Sequence, residues 1–260
     1  MAVRCRATLA YDGSAYQGFQ RQAGDTPTIQ GAVEQAVTAV TGQRVTVIGA
    51  GRTDTGVHAS GQVIAFTVDW AHSLPDLLRA INSQLPPDIA LQDIREQPGF
   101  HPRYDAISRE YQYTLVQCKE RQPLLRYRAW HIWSELDAEA MGAAAALLVG
   151  WHDFAGFGLA PQGSKTTTRN LTRSEWSHWD NAQGEGVIWK YTVEANAFLK
   201  HMVRRIVGLL VQVGLGKLSA TELKTILERA VLWEGPVAPP QGLVLTAVRY
   251  PNDTTSNTGS

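Results

Sequence analysis

Apolar and polar residues alternate from Val3 to Tyr11, which predicts a strand, and the turn residues Tyr11-Asp12-Gly13-Ser14 close it. Thr28 is placed to cap a helix whose apolar residues Ile29, Val33, Ala36, Val37 and Val40 keep helical spacing until Gly42 stops it. Val45 to Ile48 reads as a short strand. Gln62 to Val68 reads as a longer one, with Ile64, Phe66 and Val68 sharing a face. Leu74 to Leu85 is helical up to the Pro86-Pro87 stop, and Ile89 to Ile94 is a further strand. The order is βαββαβ.

The second half repeats that order with one added helix. Arg109 to Val116 is a strand and Asp137 to Val149 an alanine-rich helix ended by Gly150. Leu171 to His178 and Val187 to Ala195 are strands that pair as a hairpin across Asp180 to Gly186. A helix from Phe198 to Val213, another from Thr221 to Leu232 and a strand from Leu243 to Tyr250 complete the half. The first of these helices is apolar on opposite sides, through Met202, Ile206 and Leu209 and through Val203, Val207 and Val211, so it is a buried helix. Its charges, Lys200, His201, Arg204 and Arg205, gather in the first turns, where cations oppose the helix dipole. That end has to meet solvent, an anion or a carboxylate. The pattern therefore predicts an α+β protein of two βαββαβ halves, residues 1–105 and 106–250. A polar tail over 251–260, without any large apolar residue, is expected to be disordered.

Composition narrows the function classes. A chain of 260 residues, 44% of them hydrophobic, can bury a substantial core. It has no stretch of roughly 18 apolar residues to span a membrane and no signal-peptide h-region after Met1. A cytoplasmic protein is expected. Its two cysteines, Cys5 and Cys118, lack neighbouring Cys or His at metal-ligand spacing and read as reduced structural thiols. The formal net charge is zero, but the cations are clustered. Arg103, Arg109, Lys119, Arg121, Arg126 and Arg128 fall in one segment, Lys165, Arg169 and Arg173 in a second, and Lys200 to Arg205 in a third. One basic face able to meet nucleic acid is expected from that distribution.

The most distinctive chemistry lies in Gly49 to Val63, GAGRTDTGVHASGQV, where three glycines surround Arg52-Thr53-Asp54-Thr55. Glycine lets the main chain approach a ligand closely. Asp54 in such a loop is a candidate buried nucleophile or base, kept ionised by Arg52 or by a cation from elsewhere. A solvated Arg–Asp pair in an ordinary turn uses the same residues. His58, His101 and His152 invite a general-base role, although loop histidines beside glycine or proline commonly serve as hydrogen-bonding struts.

The run Gly51 to Val63 resembles the signature of the TruA family of tRNA pseudouridine synthases. The resemblance extends through YDGSAYQGFQRQ (Tyr11 to Gln22), FHPRYDAISREYQY (Phe100 to Tyr113), HDFAGF (His152 to Phe157), ANAFLKHMVRRIVG (Ala195 to Gly208) and GLVL (Gly242 to Leu245). It implies two halves with joined, mainly antiparallel sheets and a central cleft. It also implies uridine isomerisation at positions 38, 39 and 40 of the tRNA anticodon stem-loop, without metal or other cofactor. Carried onto this chain, it makes Asp54 the nucleophile, sets Tyr111 against the target base, and places Arg204 beside Asp54. Arg52 joins Tyr111 and Arg204 in binding substrate, while Arg109, Arg205 and Lys200 are candidates for the RNA backbone. Arg205 stands where many members carry asparagine. A homodimer is implied as well. Two other readings of the residues remain at this point, a non-catalytic RNA-binding module and a phosphoryl-transfer enzyme with an Asp nucleophile. The chain lacks the RNP1 pattern that the first would show and the GxxxxGK[ST] loop that the second would use.

Overall fold

The computed structural model describes residues 2–160, 166–182, 184–230, 232–251 and 253. The chain divides into two compact units, Met1–Ile107 with Leu245–Ser260, and Ser108–Val244.

In the first unit the order is β1 (Ala2–Tyr11), α1 (Ile29–Thr41), β2 (Ile48–Gly49), β3 (His58–Asp69), α2 (Leu74–Gln84) and β4 (Ile89–Glu96). The unit also takes in most of β10 (Leu243–Arg249). Strands run β4-β1-β3-β10, with β2 paired to β3. β1 is antiparallel to both β3 and β4, with Cys5 opposite Phe66 on one side and Glu96 on the other. The Thr28 hydroxyl accepts from the Gly31 amide at the start of α1, and Gly42 ends it in the left-handed conformation. Ser73 caps α2 in the same way, through the Asp76 amide. The two helices pack on each other, and Val33, Val37, Leu77 and Ile81 are fully buried. Cys5 is wholly buried, and burial pushes its thiol up to about 11, so it stays protonated and inert as expected of a structural thiol.

The second unit holds β5 (Ser108–Gln117), β6 (Trp130–Ile132), α3 (Ala138–Ala146), β7 (Gly150–Asp153), β8 (Thr168–Asp180), β9 (Val187–Ala195), α4 (Met202–Gly214) and α5 (Ala220–Glu228). Strands run β5-β9-β8-β7, all antiparallel, with β6 added parallel to β5. The β8–β9 hairpin closes where expected, with Asp180 opposite Val187. α3 packs on β8, α4 and α5. Inside, the Ser174 hydroxyl lies 2.7 Å from both the Ala145 carbonyl and the Tyr191 hydroxyl. A Ser219–Glu222 capping box starts α5. Among the described residues no helix is long and apolar enough to cross a membrane.

Four expectations need correction. β2 is two residues long and begins at Ile48, because its edge position on β3 gives it only Ala65 and Ile64 to pair with. β6 and β7 are short edge strands with no periodicity long enough to register in the sequence. α4 begins at Met202, since Lys200 forms a bridge with Leu159 and His201 has φ 63, a left-handed conformation that no helix residue adopts. The last strand, expected within the second half, falls from Leu245 onward in the first unit, where Gly61 lets the Thr246 backbone approach and Tyr250 packs edge-on to Phe100 with ring centroids 5.0 Å apart. The expected tail falls largely on residues 252 and 254–260, outside those described. Asp253 is nonetheless held by Arg6 and by Arg95, the latter at 2.8 Å.

Candidate active site

The Asp54 loop connects β2 to β3, and its backbone is fixed from both sides. At its entry, the Ala50 amide donates to the Val63 carbonyl at 2.8 Å and the Gln62 side-chain amide to the Gly51 carbonyl at 2.9 Å. At its tip, the Val57 amide donates to the Asp54 carbonyl, closing a turn that Gly56 completes with φ 75.

The segment after β1 forms the floor beneath it. Tyr11 and Thr53 share a buried hydrogen bond between hydroxyls at 2.8 Å, and the Phe19 amide donates to the Thr53 carbonyl at 3.1 Å. Two glycines permit this closeness. At Gly18, with φ 88, a Cβ would lie 2.9 Å from the Thr53 oxygen; at Gly13 it would lie 2.0 Å from the Val57 oxygen. The same segment continues into α1, whose first amides donate to the carbonyls of Gly18 and Phe19. Thus the two stretches that look most distinctive in the sequence are halves of one clamp.

His58 completes the clamp. It is 1% exposed, and its Nδ1 lies 3.1 Å from the Gly13 amide and 3.0 Å from Asp12 Oδ1. Asp12 in turn accepts from the Ser14 amide and hydroxyl. His58 therefore supports the loop from below. His101 accepts the amides of Arg103 and Tyr104 at 3.2 Å, and His152 bonds the Val149 carbonyl at 3.1 Å. All three histidines act as struts to backbone groups.

On this frame Asp54 is half-buried, not buried as expected, and Arg52 is exposed. A half-buried residue on a tied turn keeps part of its surface open to a substrate while its backbone stays put.

The second unit supplies the other candidates. Tyr111 lies in β5 opposite Val193, 9% exposed, with its ring edge-on to Phe198 at 5.1 Å. Phe198 was not singled out in the sequence; its signal was its place in the ANAF run just after β9. Tyr113, on the same face, is structural. Its hydroxyl donates to the Pro239 carbonyl at 2.7 Å, and burial drives its pKa well above the ordinary value against the opposing charge of nearby Arg204. Arg204 lies in the first turn of α4, where its Nε donates to the Ala238 carbonyl at 2.7 Å and its own carbonyl accepts from the Ala238 amide at 3.0 Å. Next to it, the Nε of Arg205 is shielded from solvent and has no hydrogen-bond partner among the described residues. Lys200 is exposed.

Two of the sequence's cations prove to be internal. Arg109 is 9% exposed with one guanidinium nitrogen on the Asn196 carbonyl at 2.9 Å, which ties β5 to the end of β9. Arg169 is similarly buried against the carbonyls of Thr166 and Thr168, and desolvation lowers its pKa. Lys165 lies outside the described residues. Among the described residues no group of three or more His, Cys, Asp or Glu side chains is placed to hold a metal ion.

A family profile described as tRNA pseudouridine synthase matches residues 7–105 and 144–251. Proteins called tRNA pseudouridine synthase A are similar over nearly the full chain. That of Neisseria gonorrhoeae (strain NCCP11945) is 43% identical over 250 residues, covering 95% of this chain and 92% of the relative. That of Chloroflexus aurantiacus (strain ATCC 29366 / DSM 635 / J-10-fl) is 43% identical over 247 residues, covering 94% and 87%. That of Methylacidiphilum infernorum (isolate V4) is 43% identical over 253 residues, covering 96% and 97%.

Proposed function

The chain belongs to the tRNA pseudouridine synthase family and isomerises uridine in tRNA, and on that premise we propose that Asp54 is its nucleophile. The reaction breaks the N1–C1′ bond, turns the uracil and joins C5 to C1′. The C5 proton goes to solvent, N1 takes one up, and nothing is oxidised. A carboxylate that attacks carbon ties one of the two fragments covalently to the enzyme while the base turns, and that bond breaks again, returning the carboxylate, once C5 and C1′ are joined. Attack at C1′ of the sugar and attack at C6 of the uracil both satisfy this balance.

The observation that carries the proposal is the clamp. Asp54 is partly open to solvent, while its backbone is fixed through Thr53, Val57 and the glycines of the preceding segment. Such a loop presents an attacking group without having to be ordered at the moment of reaction. Release of tritium from C5-labelled uridine in tRNA tests the activity, and the Asp54 variant discussed below tests the residue.

Tyr111 stacks on the target uracil in this proposal, its ring angle set by Phe198. Stacking on an aromatic ring is worth about 1–3 kcal/mol per base, which offsets part of the cost of extruding the nucleotide. Arg204 is the cation paired with Asp54. Arg205, half-buried in the first turn of α4, is a cation for the RNA backbone, and Lys200 and Arg52 contribute exposed charge. Arg109 is left out of the RNA contacts. The proposal extends, on family membership alone, to uridines 38, 39 and 40, to a homodimer and to action in the cytoplasm. Mapping modified positions in tRNA from cells lacking the enzyme tests the first of these.

Arg204→Ala is expected to lower kcat by at least tenfold more than it weakens tRNA binding, since a partner of Asp54 acts on the chemistry while each phosphate contact is one among several. Circular dichroism checks that the freed Ala238 carbonyl leaves the fold intact. Equal losses in kcat and affinity would make Arg204 a phosphate contact.

A further inference from the structure

The connection between β5 and β6 is polar, exposed and basic, and nothing in the catalytic proposal uses it. Residues 118–128 carry four cations and one carboxylate. Lys119, Arg121 and Arg126 are exposed, and no carboxylate among the described residues lies within ion-pair distance of any of the three. The contrast with Arg109 and Arg169 is instructive, because those equally basic positions are buried against carbonyls. Arg173, likewise, is taken by Glu110 and Glu175.

The connection is also preformed. Pro123 opens a 3-10 turn over Pro123–Leu125, and the amides of Arg128 and Ala129 both donate to the Leu125 carbonyl at 2.9 Å. Ala129 packs with Val116 and Cys118 in a small satellite cluster that Leu125 and Ile188 extend. The Cys118 amide reaches the Ile132 carbonyl at 3.1 Å and fixes the far end. Above this base the Tyr127 ring is 53% exposed and carries the Arg126 guanidinium 4.6 Å from its centroid.

From these observations we infer that the Lys119–Arg128 connection is a second tRNA-binding platform, in the other unit from Asp54, where Lys119, Arg121 and Arg126 meet backbone phosphates and Tyr127 lies against a ribose or an unpaired base. The inference rests on tRNA being the substrate. Charge complementarity selects the partner: unpaired cations on a rigid base attract a polyanion and repel a second copy of the same surface. Because the chain as a whole is formally neutral, a local excess of this kind contributes a large share of its attraction for RNA. An Arg stacked on a tyrosine presents two planar groups of the kind that single-stranded nucleic acid uses.

The test is the triple variant Lys119→Glu/Arg121→Glu/Arg126→Glu, with the corresponding alanine triple as the milder form. Binding of unmodified full-length tRNA is measured across a salt series, together with tritium release at saturating tRNA. The glutamate triple is expected to raise Kd at least tenfold and the alanine triple severalfold. Loss of three phosphate contacts also flattens the plot of log K against log salt by about two to three, at roughly 0.7–0.9 per contact. Turnover at saturation stays within twofold of the parent. Unchanged Kd and slope in the alanine triple overturn the inference, as does a change in oligomeric mass by light scattering with tRNA affinity retained, which assigns the surface to a second copy. A parent protein that binds tRNA but releases no tritium would instead sink the catalytic reading and leave this test readable.

Discussion

Asp54→Asn is expected to abolish pseudouridine formation at every target position while leaving tRNA affinity within roughly tenfold, about 1.4 kcal/mol. Asparagine keeps the size of the side chain and most of its hydrogen bonding but cannot attack carbon as an anion. Several of the loop's ties do not involve the carboxylate, since they run through the backbone of Asp54 and Val57, the side chain of Thr53 and the amide of Gln62. In the proposed reading affinity rests on cations and stacking elsewhere, and removal of one negative charge near RNA acts in favour of binding. Product formation and Kd measured on the purified, folded variant decide the matter. Residual turnover within tenfold of the parent would remove Asp54 from its assigned role.

Gly13→Ala is expected to cost about a hundredfold in kcat without touching any group that meets substrate. A Cβ there would stand 2.0 Å from the Val57 oxygen and 2.7 Å from its carbonyl carbon, and both are backbone atoms that cannot swing aside. Overpacking of this kind costs roughly 1–3 kcal/mol, so Tm falls by several degrees. The larger effect is on rate, since a displacement of about 1 Å at a reacting group lowers turnover on the order of a hundredfold. Gly142→Ala serves as the control: it lies within α3 with nothing within 4 Å of the added carbon. It should raise stability by about 0.5–1 kcal/mol, because alanine is the better helix former. If Gly13→Ala keeps kcat within twofold while Gly142→Ala behaves as stated, the clamp does not position Asp54.

Most of the secondary structure was legible where a single local rule decided it. Thr28 and Gly42 mark both ends of α1 because capping is written in adjacent residues, and the alternation of β1 and β9 reports burial of one face. The Asp54 loop stood out in the sequence for a different reason, its unusual density of glycine around one acid. What escaped were outcomes set by distant partners. Nothing near Lys200 announces its bridge to Leu159, which delays α4 to Met202. Nothing in Arg109 or Arg169 distinguishes a cation that binds carbonyls inside from one that faces water. The role of the Tyr11 to Phe19 segment as the floor of the Asp54 loop was hidden similarly, because the contacts join residues about forty apart, as in the Tyr11–Thr53 pair.

The placement of β10 bears on how the protein is made. Its first unit is discontinuous in sequence, since the strand beside β3 and the ring of Tyr250, which stacks on the Arg6 guanidinium at 4.1 Å, come from the far end of the chain. During synthesis, residues 1–107 leave the ribosome long before residues 245–250 exist, at about 5–20 residues per second. The Asp54 loop thus emerges early on a sheet that still has an unpaired strand edge at β3 and an uncovered Phe100. The second unit, contiguous from Ser108 to Val244, can complete its own core first. The first unit therefore closes after the second, and the nascent protein holds its Asp54 loop on an unfinished scaffold until residues 245–250 have been made.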